Sequence, residues 1–372
     1  MFPVQAQNSL LISEGKYQEA IDRIDIELGK NPGAKMYVQK GELHALIAQE
    51  NPVDQRELSY ENMIEAFDSA RVYEASQVNN SIESEADSIT YYYWDLEHQA
   101  GLSEYEKEST QSSTSAIYHF NNAIIIDPSK VESYKSLSIA LYNNNDIDGA
   151  IDALKKAESM NIADSKVYEN LGFLYLEIGN PELSINHYQK TNQDPIKNKN
   201  IAFGLVNAYI SQNRTAEATS FLSKLVEEYP KEAKLNNVYG TQLYKLVSQL
   251  FPNLKAAYSS NDTSTVNSLK VEIVGLSDDA ENQLIEAYKS DTASVEYTES
   301  LAVFYNNMSG NYFSIFNIAF ESDKKELKTR ALSLTDFAII YYTKLEELNG
   351  ENDSYSKKIQ NLNTLKKSWN TQ

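Results

Sequence analysis

The apolar positions of this chain recur at two spacings at once. Locally they fall at i, i+3, i+4 and i+7, which lines one face of an α-helix. Over a longer distance the same kinds of residue return every 34 positions. Phe120, Leu154, Tyr188 and Leu222 form one such column, and Ala116, Ala150, Ser184 and Ala218 form another. Leu137, Leu171, Leu205 and Tyr239 keep the register, as do Tyr134, Tyr168 and Ala202, and Leu141, Tyr175, Tyr209 and Leu243. Pro128 and Pro230 stand three periods apart. A fixed period of this length marks one supersecondary unit used repeatedly. Ala150 and Ala218 mark places where two helices approach closely, and the prolines follow a helix that cannot continue through them. A helix pair this short cannot bury both faces alone, so neighbouring pairs must stack to complete a core.

The residues that carry the period resemble the tetratricopeptide repeat (TPR) family, whose unit is two antiparallel helices, A and B. From Ser165 the chain reads Tyr168, Leu171-Gly172, Tyr175, Gly179, Ser184, Tyr188, Thr191. From Lys130 it reads Tyr134, Leu137, Leu141, Ala150, Leu154, Ala157, and from Asn200 it reads Ala202, Leu205, Tyr209, Ala218, Leu222, Pro230. The resemblance implies an all-α fold, a right-handed TPR superhelical solenoid of about seven to eight helix-turn-helix units, several with extended helices. The expected organisation is an N-terminal arm or signal remnant over 1–7, the solenoid over 8–350 and a C-terminal capping helix over 351–372.

Outside the regular stretch from 130 to 230 the pattern is looser. Leu10, Leu11, Gly15-Lys16-Tyr17, Ala20 and Ile24 give a first unit. Tyr37, Gly41 and Leu43 give the next helix A, with its helix B over 60–75. Residues 81–107 read as one long helix, and the run Ser109 to Ser115 as a flexible loop inside a repeat. The helix from Leu235 is expected to reach Leu250, with Pro252 and the stretch Ser259 to Ser268 forming a break or loop. Leu301-Ala302 and Tyr305 open a helix expected to run to Phe320, and Asn349-Gly350 stops the last helix B.

Composition narrows the function classes. The 372 residues carry a formal net charge of −20, which repels phosphate backbones and anionic lipid. No apolar run reaches the roughly 20 residues of a membrane span. The absence of cysteine excludes disulfides, thiol catalysis and cysteine-ligated zinc on this chain. Phe2-Pro3-Val4-Gln5-Ala6-Gln7 places Val4 and Ala6 at the small-residue spacing of a signal-peptidase site. With the richness in Asn, Ser and Tyr, this gives the expectation of an exported, Bacteroidota-type protein, periplasmic or outer-membrane associated.

No motif points to chemistry. Asn144 to Gly149 resembles the start of a calcium loop, yet Lys155 stands where a bidentate Glu is required, and the segment falls at a helix A to helix B turn. His44, His98, His119 and His187 lack partners at metal-binding spacing and read as solvent or packing residues. The numerous carboxylates read as solvated faces. Phosphate loops and nucleophile elbows are missing, so no catalytic residue, cofactor or metal is assigned. The cluster Tyr91 to Trp94 surrounds its helix, so at least one ring should face away from the core.

The resemblance implies a partner-binding groove lined by helix A residues. These are Lys135, Ile139, Tyr142 and Asn143; then Glu169, Phe173, Leu176 and Glu177; then Phe203, Asn207 and Ile210; then Asn237, Thr241 and Tyr244. An apolar and amide lining suits a protein or peptide segment. Chaperone-tail clamps of the family use Lys and Asn at fixed groove positions. Lys135 and Asn170 fit, whereas Ile139, Asn200 and Gly204 depart from that pattern. The expected function is a non-catalytic interaction scaffold, an accessory subunit of an envelope assembly or secretion complex. The alternative is a glycan- or small-ligand-binding module of a nutrient-uptake system.

Overall fold

The computed structural model describes residues 4–75, 81–107, 109–349 and 353–370. Among them the chain forms seventeen α-helices, one 3₁₀ turn and no strand. Packing divides it into two compact units, Met1–Gln193 and Asp194–Gln372. The first unit stacks five antiparallel hairpins: α1 (Val4–Ser13) with α2 (Tyr17–Leu28), α3 (Ala34–Glu50) with α4 (Glu57–Ala75), α5 (Ser81–Tyr105) with α6 (Thr110–Ile126), α7 (Val131–Asn143) with α8 (Ile147–Ser159), and α9 (Ser165–Glu177) with α10 (Pro181–Lys190). The second unit holds α11 (Lys199–Ser211) with α12 (Thr215–Glu228), α13 (Ala233–Ser259) with α14 (Thr263–Ser290), and α15 (Val295–Phe316) with α16 (Glu321–Asn349), closed by α17 (Asp353–Asn370). Of the expected N-terminal arm, residues 1–3 lie outside the described residues, and the chain is helical from Val4. Gly350, expected to stop the last helix B, also lies outside them.

The 34-residue columns are the core. Ala116, Phe120, Leu137, Ala150, Leu154, Leu171, Tyr188, Leu205, Ala218 and Leu222 are all buried. The hairpin turns repeat as well. Asn145, Gly179 and Asn213 follow one another at 34-residue steps, and all three have positive φ, at 63°, 73° and 56°. Each ends its first helix with a paired set of backbone bonds. For Asn145 these are its own N–H to the Tyr142 carbonyl and the Asp146 N–H to the Leu141 carbonyl. Both satisfy carbonyls that the helix end would leave orphaned. Glycine and asparagine are the residues that tolerate this conformation. The calcium-like segment at Asn144 to Gly149 is therefore one of these turns, and Asp146 uses its carboxylate to cap α8 at the Gly149 N–H, 2.9 Å away.

Two expected loops are helical instead. Ser109 is the N-cap of α6, its hydroxyl accepting from the Ser112 N–H, so the Ser/Thr run after it forms the opening turns of that helix. These residues are poor helix formers in the interior and good ones at the start. Pro252 lies inside α13, where it removes the bond to the Ser248 carbonyl. The helix persists because Phe251 before it and Leu254, Ala257 and Tyr258 beyond it are buried. Only Ser260 to Asp262 separates α13 from α14, and α15 ends at Phe316 rather than Phe320.

The long helices of the second unit keep the hairpin scheme. Helices α7, α9, α11 and α13 begin 34 residues apart, whereas α15 begins 62 after α13. The added length is shared between two arms. Asn261, the positive-φ turn residue, stands 48 after Asn213, so the turn has moved outward by 14 residues on the first arm. The overhang joins that of the next hairpin through its own core. Phe251 meets Tyr312 edge-on at 5.3 Å, Tyr258 meets Phe320 at 5.0 Å, and the Tyr258 hydroxyl donates to Asp323 at 2.7 Å. Helix α17 covers the last hairpin, with Tyr355 and Leu362 buried and Trp369 against Phe313 and Phe316.

One charged cluster is buried in the first unit. Glu97 of α5 is fully enclosed and accepts from Arg56 at 2.7 Å, the Tyr60 hydroxyl at 2.6 Å and His119 Nδ1 at 2.6 Å. Its partners lie on or beside α4 and α6, and Gln49 adds α3 at 3.2 Å. Burial alone would raise the Glu97 pKa, but the bonds from His119, Tyr60 and Arg56 outweigh it and hold it at about 2. Glu97 and His119 thus depart from the expected solvated and packing roles. His98 is a packing residue, stacked on Trp94 at 5.3 Å.

Candidate partner-binding groove

In three hairpins of the first unit the first helix carries a glycine, Gly41, Gly101 or Gly172, where a ring from the second helix crosses it. A Cβ added at Gly172 would lie 2.8 Å from the Tyr188 ring, and one at Gly41 would lie 2.3 Å from the Phe67 ring. Glycine permits the close approach. The next residue on the same helix is turned away from that crossing. It is Glu42 after Gly41, Leu102 after Gly101, Ile139 after the buried Ser138, and Phe173 after Gly172. Ile139 and Phe173 are 44% and 41% exposed, so the face they mark is open and apolar.

In the first unit the face is ordered by polar contacts. Tyr142 packs edge-on against Phe173 at 5.4 Å. Asn143 donates to the Tyr105 hydroxyl on α5. Lys135 pairs with Asp164 at 2.7 Å, and Asp164 also caps α9 at the Val167 N–H, 2.9 Å away. Burial works against the Asp164 charge, yet the Lys135 bond and the backbone N–H groups lower its pKa. Leu176 is half-buried and Glu177 exposed. Glu169 is buried, with Lys166 at 2.6 Å, and contributes no open surface.

In the second unit Asn207 of α11 is exposed, while Phe203 and Ile210 are partly buried against the cluster of Ala202, Val206 and Leu222. The three positions on α13 are engaged within the unit. Asn237 is buried and donates to Glu296 of α15 at 3.2 Å, Thr241 donates to the Asn237 carbonyl, and Tyr244 lies edge-on to Phe304 at 5.8 Å. Sequence reasoning did not include Tyr105, Glu42 or Leu102 among the lining residues. Gly41 and Gly101 are the signal that would have found Glu42 and Leu102, since each precedes a lining position as Gly172 does, whereas Tyr105 carries no such signal. Of the aromatic cluster on α5, Tyr91 and Tyr92 are exposed, whereas Tyr93 and Trp94 are buried.

Residues 202–232 match the family model of the tetratricopeptide repeat. The chain thus carries a tetratricopeptide repeat over α11 and α12, and α7, α9 and α13 begin at the same 34-residue spacing in an all-α arrangement of hairpins. Several solved structures are similar. MamA is 17% identical, with a TM-score of 0.40 over 55% of this chain and 95% of that one. PilF of Pseudomonas aeruginosa is 14% identical, with a TM-score of 0.44 over 74% and 98%. A tetratricopeptide repeat protein of Parabacteroides merdae is 13% identical, with a TM-score of 0.43 over 73% and 99%. No curated protein sequence matches the chain. TPR families are generally non-catalytic, and their members bind protein or peptide partners. No helix of the described residues is long and apolar enough to cross a membrane.

Proposed function

We propose that this chain is a non-catalytic scaffold that docks a protein segment on the open helix A face around Ile139, Tyr142, Asn143 and Phe173. The supporting observation is the exposure of Ile139 and Phe173 at equivalent places on successive hairpins. Large apolar side chains at a repeated position, flanked by the Asn143 amide, suit a segment with apolar anchors and a backbone to bond. Leu176, Glu177, Phe203, Asn207 and Ile210 extend the lining, each within its own unit. Asn237 and Tyr244 serve the packing of α13 on α15 instead, and Thr241 is bonded to its own helix. The proposed setting is an envelope assembly or secretion complex outside the cytoplasm, which the signal-like spacing of Val4 and Ala6 favours.

The test is crosslinking and affinity purification of the tagged protein from its own cells, wild type beside Phe173→Ala. A stoichiometric envelope complex recovered with the wild type and lost with the variant is the expected result. Phe173 is part-exposed, so its truncation should cost less than about 1 kcal/mol of stability. Equal recovery by both proteins refutes the docking face, and a cytoplasmic complex refutes the setting.

A further inference from the structure

The first hairpins line an open cavity of about 480 Å³ beside the same helix A face. Ile12 of α1, Ile24 of α2, Leu43 and Leu46 of α3 and Tyr93 of α5 form its apolar wall, and Ser9 and Gln39 add polar groups. Glu42 reaches into it from the position that Ile139 and Phe173 occupy in later hairpins. Among the described residues Glu42 forms no ion pair, and its nearest charged influence is another carboxylate, Glu85. The lysines on adjacent segments are engaged elsewhere, Lys16 by Glu14 and Lys40 by Asp25. Partial burial first, and Glu85 second, push the Glu42 pKa up. A carboxylate held this way gains from an incoming cation.

We propose that this cavity receives a lysine or arginine side chain of the docked protein segment, with its aliphatic stem on Ile12, Leu43 and Leu46 and its charge at Glu42. A long basic side chain joins these two chemistries, because its stem is apolar and its head cationic. The volume also leaves room for an apolar neighbour of the basic residue. The net charge of −20 favours approach of a basic segment over an acidic one. The proposal rests on the reading that helix A faces dock protein segments, and it adds the chemistry of the residue recognised.

The experiment is a methyl NMR titration of the full chain, labelled at Ile and Leu methyls. The probes are acetyl-Leu-Lys-Leu-amide and its norleucine analogue, which keeps the stem and loses the charge. The methyls of Ile12, Leu43 and Leu46 should shift with about fivefold tighter binding for the lysine peptide, the size of one modest ion pair. Glu42→Gln, an exposed position that leaves the fold intact, should erase the difference. The proposal is overturned if these methyls stay still, if both peptides bind equally, or if the lysine preference survives in Glu42→Gln. Shifts at Ile139 and Leu176 alone would uphold the docking face and discard this cavity.

Discussion

Replacing Glu97 by glutamine tests whether the buried charge stabilises the first unit. The variant keeps the side chain's shape and removes its charge from Arg56, His119 and Tyr60. A carboxyl lowered from 4.5 in the unfolded chain to about 2 in the fold contributes about 3 kcal/mol when ionised in both states. Breaking one partner of a buried ion pair costs a similar amount, about 3–5 kcal/mol. The sign follows from the lowered pKa. The contribution is complete above the unfolded value of 4.5, and it fades as pH falls from there towards 2. Glu97→Gln should therefore be about 3 kcal/mol less stable at pH 6, with the gap shrinking below about 1 kcal/mol near pH 2. The chain has two tryptophans, one in each unit. With Trp369→Phe as background, Trp94 fluorescence reports urea unfolding of the first unit alone. A gap that stays constant from pH 6 to pH 2, or a variant as stable as the parent at pH 6, would refute the reasoning.

Leu171 is fully buried between hairpins, so Leu171→Ala should cost about 2–5 kcal/mol in urea titration, and a loss below about 0.5 kcal/mol would put the residue at the surface. Gly172→Ala places a methyl 2.8 Å from the Tyr188 ring and should lower stability by about 1–3 kcal/mol, read as a drop in the thermal midpoint. Asn213 holds a positive φ of 56°, so Asn213→Ala should cost about 1 kcal/mol while Asn213→Gly stays near neutral, with Trp369 as the probe of the second unit.

The hairpins between 130 and 230 were legible because one short-range pattern and one long-range pattern agreed there. Leu137, Leu171 and Leu205 appear as a column in the sequence, and each is buried in its own unit. Failures came where local chemistry and tertiary packing disagree. The Ser109 to Ser115 run looks like a loop by composition, but a cap and the buried Ala116 and Phe120 beyond it make it helix. Pro252 reads as a breaker, and the buried residues after it override the lost hydrogen bond. The Glu97 cluster was invisible because its partners lie 22 to 48 residues away and none shares a motif. For the groove, Phe173 and Ile139 could be named from register alone. The burial of Asn237 could not, because it depends on Glu296, 59 residues on, beyond an overhang that shifts the period.

That overhang shows how such a fold can lengthen. The turn at Asn261 lies 14 residues, about 21 Å of helix, beyond the place the period assigns it. Fourteen residues are close to four full helical turns, so the apolar stripe returns nearly to its original side. An extra length on one arm alone would leave that stripe facing water. A single continuous insertion at a hairpin tip avoids this, because it supplies an outgoing and a returning arm together. In this architecture the tip is therefore the point where one insertion event can enlarge a module while the joints to its neighbours keep their spacing.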